Sequence, residues 1–357
     1  MPDFAEPLMV KYLHEKGARE GIPVSGTFEL TQRCNFNCEM CYVHDCTQKT
    51  DPLSAQDWLN LAQQAENAGT VFLLLTGGEP LLRDDFEQIY TALAKMGFLI
   101  SINTNGSLIE KYTKLFDEFP PVRINISLYG ADNSAYGKLC RNDAFDKVLN
   151  SVKKMKELGI SVRFNTIFTP ENISEYKKIA DISRELGIPL KPTTYTYPPV
   201  RLGRNNEIPR FSPEEAAEYI SFVDEYRFDK DFYLERAKKL LLLPEGPKEN
   251  KMRCRAGKSS FWITADGIMR PCGMMPGPDA RPLDEGFEKA WQAIKSETEK
   301  IRLPEECLTC KYSGICNVCA AMCRAETGDF GKTPQYICRM TKHLFTIAER
   351  SVCNNGG

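Results

Sequence analysis

GTFELTQRCNFNCEMC, residues 26–41, begins with strand-forming residues and ends with three cysteines in one tight loop. The spacing Cys34-x3-Cys38-x2-Cys41 brings three thiols from a single segment. A structural zinc site wants four ligands. A cubane iron–sulfur cluster has four irons, so three thiolates leave one iron open to a ligand from outside the protein. A zinc site completed by Cys46, or plain reduced loop thiols, are the alternatives at this point.

Working outward, the same arrangement repeats. The apolar run VFLLL (71–75) passes straight into TGGEP (76–80), FLISINT (98–104) into NG, and VRINISL (122–128) into YG. SVRFNTIF (161–168) and IPLKPTTY (188–195) complete the series. Helical stretches fall between them, near 55–67, 83–96, 108–118, 144–158 and 172–186. Strands rich in Ile, Val, Leu and Phe, separated by helices, predict about six parallel βα units within 22–200. Periodicity alone leaves a barrel and an open doubly wound sheet both standing. In either, the polar motifs sit at the carboxyl ends of strands, where α/β sites form.

The composition is that of an ordinary soluble protein, 42% apolar and 26% charged with net charge -2, which gives no general case for nucleic acid or anionic membrane. No apolar run is long enough to span a bilayer, and MPDFAEPLMVKYLHEKGARE lacks a signal-peptide pattern, so a cytoplasmic location is expected. The anomaly is 14 cysteines beside only 3 histidines. They gather at Cys34–Cys46 and again from Cys254 to Cys353, with Cys140 alone between, as thiolate-ligated metal would require.

CxxxCxxC after the first strand and GGEP after the second resemble the radical S-adenosylmethionine (SAM) superfamily. The resemblance implies a partial (β/α)6 TIM-like barrel in which Cys34, Cys38 and Cys41 hold a [4Fe–4S] cluster whose open iron chelates SAM. It implies that Gly77, Gly78, Glu79 and Pro80 lie by the methionyl amine, with Glu79 an indirect anchor. Asn105 and Ser127 would lie near the ribose and methionyl carboxylate, and Asn165 on the adenosine side. Strand-end capping is the plainer reading of those three. The family usually has an aromatic residue before the third cysteine; here Met40 stands there, large and polarizable enough to pack on adenine. Tyr42 follows the cysteine and is not given the role.

The second cysteine field resembles the SPASM extension of radical enzymes. CRAGKSSFWITADGIMRPC (254–272) has its opening pattern, with two short strands around a DG turn, and CLTCKYSGIC (307–316) its CxxC-x5-C. Cys319 and Cys323 then depart from the usual spacing, before Cys338. The implied allocation is Cys307, Cys310, Cys316 and Cys338 to an outer auxiliary [4Fe–4S] cluster, and Cys254, Cys272 and Cys323 to an inner one, with Cys319 as a possible fourth ligand. Three clusters in all are expected. A zinc domain is the competing reading. Cys46 and Cys353 are expected to stay outside the clusters; Cys140 is structural or near the site.

The expected domains are an N-terminal helical extension (1–21), the barrel (22–210), a helical linker (211–249), a SPASM-like small C-terminal cysteine-rich domain (250–345) and a tail (346–357). The resemblance implies reductive cleavage of SAM to a 5'-deoxyadenosyl radical and hydrogen abstraction, most often from a peptide, giving a crosslink, oxidation or epimerisation. An external one-electron donor such as flavodoxin or ferredoxin is implied. With about 25 residues before the first strand, a separate peptide-recognition protein is a further possible partner. Formylglycine generation is disfavoured because Gly273 follows Cys272 where such relatives carry an acid, and Asp279 is too distant in sequence to be assigned that role. The alternatives are a dehydrogenase or decarboxylase of a small molecule or cofactor precursor, for which Arg201 and Arg204 offer anion contacts, and a non-catalytic electron-transfer protein. No catalytic side chain is assigned.

Overall fold

The structure is a computed structural model that describes residues 6–41, 50–198 and 209–355. Cys46, Tyr42, Arg201 and Arg204 lie outside the described residues. Six strands run parallel: β1 (Ser25–Glu29), β2 (Phe72–Thr76), β3 (Leu99–Thr104), β4 (Arg123–Ser127), β5 (Val162–Ile167) and β6 (Leu190–Thr193). They are joined by helices such as Ala55–Asn67, Phe86–Lys95, Phe145–Glu157 and Tyr176–Glu185.

Alternation along the strands settles what periodicity left open. Phe28, Leu75, Ile102, Ile126 and Phe164 are fully buried against the helices. Their neighbours Thr27, Leu74, Asn103, Asn125, Arg163 and Asn165 lie on the opposite face in register, and most are polar. A doubly wound sheet would be apolar on both faces. A sheet with helices on one side only and a polar inner face is a partial barrel, as expected.

The sheet does not end at the barrel. Strand β7 (Ser260–Ile263) pairs parallel with β1, and β8 (Met269–Arg270) pairs antiparallel with β7, giving the order β6-β5-β4-β3-β2-β1-β7-β8. Trp262 Nε1 donates to Glu29 Oε2 at 2.9 Å and fastens the added edge. The cysteine-rich region is therefore hydrogen-bonded into the barrel sheet. The helices Pro213–Arg227 and Lys230–Leu241 pack on the helix Gln335–Asn355. That last helix carries Cys338 near its start and runs unbroken through the stretch expected as a tail. Among the described residues, no helix is long and apolar enough to cross a membrane.

The helix Leu8–Glu20 docks through buried His14, whose Nδ1 lies 3.0 Å from Ser259 Oγ and whose ring stacks near Phe72. Burial, with Arg255 adding, lowers His14 from its ordinary 6.5 to about 4. Folding therefore disfavours the charged ring. The contribution is complete above about pH 6.5 and is lost as pH falls toward 4. His14→Asn is expected to flatten the stability change of the iron-free protein between pH 7 and 5 by about 1–2 kcal/mol, read by denaturant titration.

Candidate functional site

Three motif loops meet at the carboxyl ends of β1, β2 and β3 and are tied to one another. The backbone of the second loop donates to the first, Gly78 N to Thr31 O at 2.7 Å and Glu79 N to Arg33 O at 2.8 Å. The approach is so close that side chains are excluded. A Cβ at Gly78 would stand 2.3 Å from Arg33 O, and one at Gly77, whose φ is 153°, would stand 2.4 Å from Thr31 O. Gly78→Ala is thus expected to cost about 1–3 kcal/mol in stability and to pull the two loops apart. A thermal shift on the iron-free variant, with its iron uptake compared to wild type, checks this.

Glu79 is fully buried at the centre of this junction. Its Oε1 accepts from Leu81 N at 3.0 Å and Thr104 Oγ1 at 2.8 Å, and its Oε2 from Asn105 N at 2.7 Å. Burial raises its carboxyl to about 7, against the pull of those three hydrogen bonds. Pro80, also buried, starts a short 3-10 turn for which Glu79 is the N-cap.

The Asn-Phe-Asn spacer between the first two cysteines is also structural. Asn35 Oδ1 accepts from Asn105 Nδ2 at 2.8 Å, and Asn35 Nδ2 donates to Ser107 Oγ at 2.9 Å. Asn37 N and Glu39 N donate to the carbonyls of Cys140 and Leu139. Cys140 itself is buried in the barrel core, so its backbone holds the cysteine loop while its thiol packs. The base of the loop is fixed by Asp51, which receives Arg33 Nη2 at 2.6 Å and the Thr31 hydroxyl. Buried Arg83 adds donors to Leu30 O and Leu53 O. Sequence reading missed Asp51, Arg83 and Asn35 because each acts through a long-range contact with no local pattern.

Cys34, Cys38 and Cys41 are half-buried and close enough to influence one another. Burial pushes the Cys34 thiol up to about 12, with Phe36 N–H opposing and Glu79 and the other two cysteines adding to the rise. Met40 is buried beside Cys41. Ser127 and Asn165 stand side by side on β4 and β5. Among the described residues the buried Asn165 Oδ1 has no hydrogen-bond partner, which a ligand on the inner face would supply. The same face carries Arg123 and Arg163; burial, with Arg123 adding, holds Arg163 below its ordinary value.

The second field divides into two groups. A cavity of about 180 Å³ is ringed by Cys307, Cys310, Cys316 and Cys338, the four thiols expected to share one cluster. Thr341 Oγ1 donates to Cys316 Sγ at 3.4 Å on its wall. Cys319 stands at the N-terminal boundary of the helix Ala320–Thr327, near both Cys254 and the Tyr197 hydroxyl, which is 3.8 Å from Cys319 Sγ; Tyr197 also senses Cys272. Cys323 is fully buried and faces both groups, close to Cys307 and Cys338 as well as Cys319. Cys254 and Cys353 are exposed. The cysteine groups have the character of iron–sulfur sites. Among the described residues, no three His, Cys, Asp or Glu side chains are arranged to hold a metal ion. Ligands of a cubane bind separate irons and need not converge on one point.

The family described as "Radical SAM superfamily" matches residues 28–182. A probable GTP 3',8-cyclase of Saccharolobus islandicus is 28% identical over 252 residues, covering 68% of this chain and 80% of that protein. An AdoMet-dependent heme synthase of Methanosarcina barkeri is 23% identical over 333 residues, covering 87% and 94%. Among solved structures, SuiB of Streptococcus suis bound to S-adenosylmethionine has a TM-score of 0.68 at 17% identity, covering 93% of this chain and 81% of that one. The anSMEcpe structure with bound AdoMet has a TM-score of 0.73 at 18% identity, covering 93% and 99%. At these identities the structures show a shared fold, including the cysteine-rich region.

Proposed function

We propose that this chain is a radical SAM enzyme with a SPASM-like auxiliary region, which modifies a peptide by abstracting one of its hydrogen atoms. The observation that carries the site assignment is the junction in which the cysteine loop, the Gly-Gly-Glu-Pro loop and Asn105 brace one another through backbone and buried Glu79. In this reading Cys34, Cys38 and Cys41 hold a [4Fe–4S] cluster, and Gly77 to Pro80 shape the wall against the methionyl end of SAM. Asn105, Ser127, Asn165 and Met40 border the remainder. The orphaned Asn165 Oδ1 supports this fit, and so does the four-cysteine cavity for an auxiliary cluster. The inner auxiliary cluster takes Cys254, Cys272 and Cys323; Cys319 is the candidate for its fourth thiol, the alternative being an open iron. When bound, the SAM and its cluster supply a 5'-deoxyadenosyl radical. The chain's own part is to hold the substrate C–H bond in place and keep water out.

The peptide reading takes its support from SuiB, whose structure has been solved bound to the precursor peptide SuiA, and from anSMEcpe, solved with bound peptides. An external one-electron donor is part of the reading. A small-molecule reading has behind it the near end-to-end likeness to the heme synthase and the cationic inner face at Arg123 and Arg163. Anaerobic incubation of the reconstituted enzyme with SAM and dithionite is expected to release 5'-deoxyadenosine, and a peptide substrate to accelerate that release. No 5'-deoxyadenosine would sink the enzymatic reading; acceleration by a tetrapyrrole or nucleotide and by no peptide would transfer it to small molecules.

A further inference from the structure

We propose that the cavity of about 530 Å³ between the barrel mouth and the cysteine-rich region receives an uncharged apolar or aromatic side chain of the substrate, and so selects the residue that reacts. This rests on the peptide reading above.

The position of the cavity relates it to every cysteine group. Its lining includes Met40, the sequence neighbour of Cys41. It includes Thr341, which also lines the four-cysteine cavity and donates to Cys316. It includes Tyr197, whose hydroxyl reaches Cys319. A side chain seated here meets walls that adjoin the loop of the first three cysteines and both auxiliary groups.

The chemistry of the walls names the occupant. Ile167 and Tyr195 come from the strand ends, and Met274, Met322, Ile337 and Met340 from the cysteine-rich side. The polar contributors are threonines, Asn317 and the hydroxyl-bearing Tyr195 and Tyr197; none of the described residues lining the cavity is charged. Just behind Tyr195, Arg210 and Glu326 neutralise each other at 2.5 Å, and the Tyr195 hydroxyl donates to the same carboxylate. A carboxylate, phosphate or ammonium entering the cavity would lose its water without gaining a countercharge from the described lining. An apolar group gains from leaving water. The volume lies within the range of small-ligand sites. Four methionines, Met40 included, give walls that adapt to shape, so the selection is for polarity more than for one outline.

The test uses the full-length, anaerobically reconstituted enzyme with N-phenyl-1-naphthylamine, an uncharged fluorescent probe, displaced by capped tripeptides acetyl-Gly-Xaa-Gly-amide. With Xaa as Phe or Leu, displacement is expected at about tenfold lower concentration than with Asp or Lys. Met340→Glu is expected to weaken probe binding about tenfold. Met322→Gln, uncharged and gentler on folding, is expected to weaken it less; iron content and circular dichroism verify that each variant is folded. Equal displacement by charged and apolar peptides would overturn the proposal, as would probe binding unchanged in both folded variants. Displacement by GTP or a porphyrin in preference to every peptide would also overturn it. Release of 5'-deoxyadenosine by wild type is measured on the same preparation. Its absence removes the enzymatic reading and this inference together, whereas its presence without peptide discrimination removes the inference alone.

Discussion

Replacing Cys34, Cys38 and Cys41 together by alanine is expected to abolish 5'-deoxyadenosine release and to lower iron from about twelve to about eight per chain. The loss should be confined largely to the thiols because, apart from the Phe36 N–H on Cys34 Sγ, the loop's main ties do not involve them. Its base is held by Asp51 and Arg83, its middle by Asn35 on Asn105, and its far side by the carbonyls of Leu139 and Cys140. The two auxiliary groups hang on different elements, β7, β8 and the helices after residue 305, so their iron should remain. Iron and sulfide analysis of both proteins, with circular dichroism to confirm folding, decides the matter. About four irons falling to none, with zinc retained, would return the second cysteine field to the zinc reading.

Glu79→Gln is the substitution expected to do most damage for the fewest atoms changed. The carboxylate offers two accepting oxygens to three donors. A glutamine must turn its NH2 either on Asn105 N–H or on the Leu81 and Thr104 donors, and a buried unmet donor costs about 1–3 kcal/mol. The Gly-Gly-Glu-Pro loop should shift with it, and SAM binding fall by about tenfold or more. The pH dependence gives a second readout. In the iron-free folded protein Glu79 keeps its proton up to about pH 7, whereas unfolded it loses it near 4.5. Its contribution to stability is therefore full below about 4.5 and is lost as pH rises through about 7. The variant has no such ramp, so the wild-type advantage should narrow across that window in denaturant titrations. A constant difference would show that Glu79 is ionised throughout and that burial does not govern it.

What could be read directly from the chain was whatever is encoded locally. Strand composition and helix-length spacing gave the parallel βα order, and the cysteine and glycine spacings marked loops at strand ends. The four cysteines at 307, 310, 316 and 338, grouped by the family resemblance, line one cavity. Tertiary structure alone decided the rest. Alternation within a strand says which residues share a face, but not which free edge will be joined; β7 reaches β1 across more than two hundred residues, fastened by Trp262 and Glu29. Composition around 346–357 reads as a tail, yet the helix runs on to Asn355, its earlier turns packed on the helices Pro213–Arg227 and Lys230–Leu241. Burial of Glu79, the Asn165 oxygen unpaired among the described residues, and the cavity whose described lining carries no charge exist only where distant segments converge. Desolvation and unmet hydrogen bonds belong to the space between elements, and no single stretch of sequence contains that space.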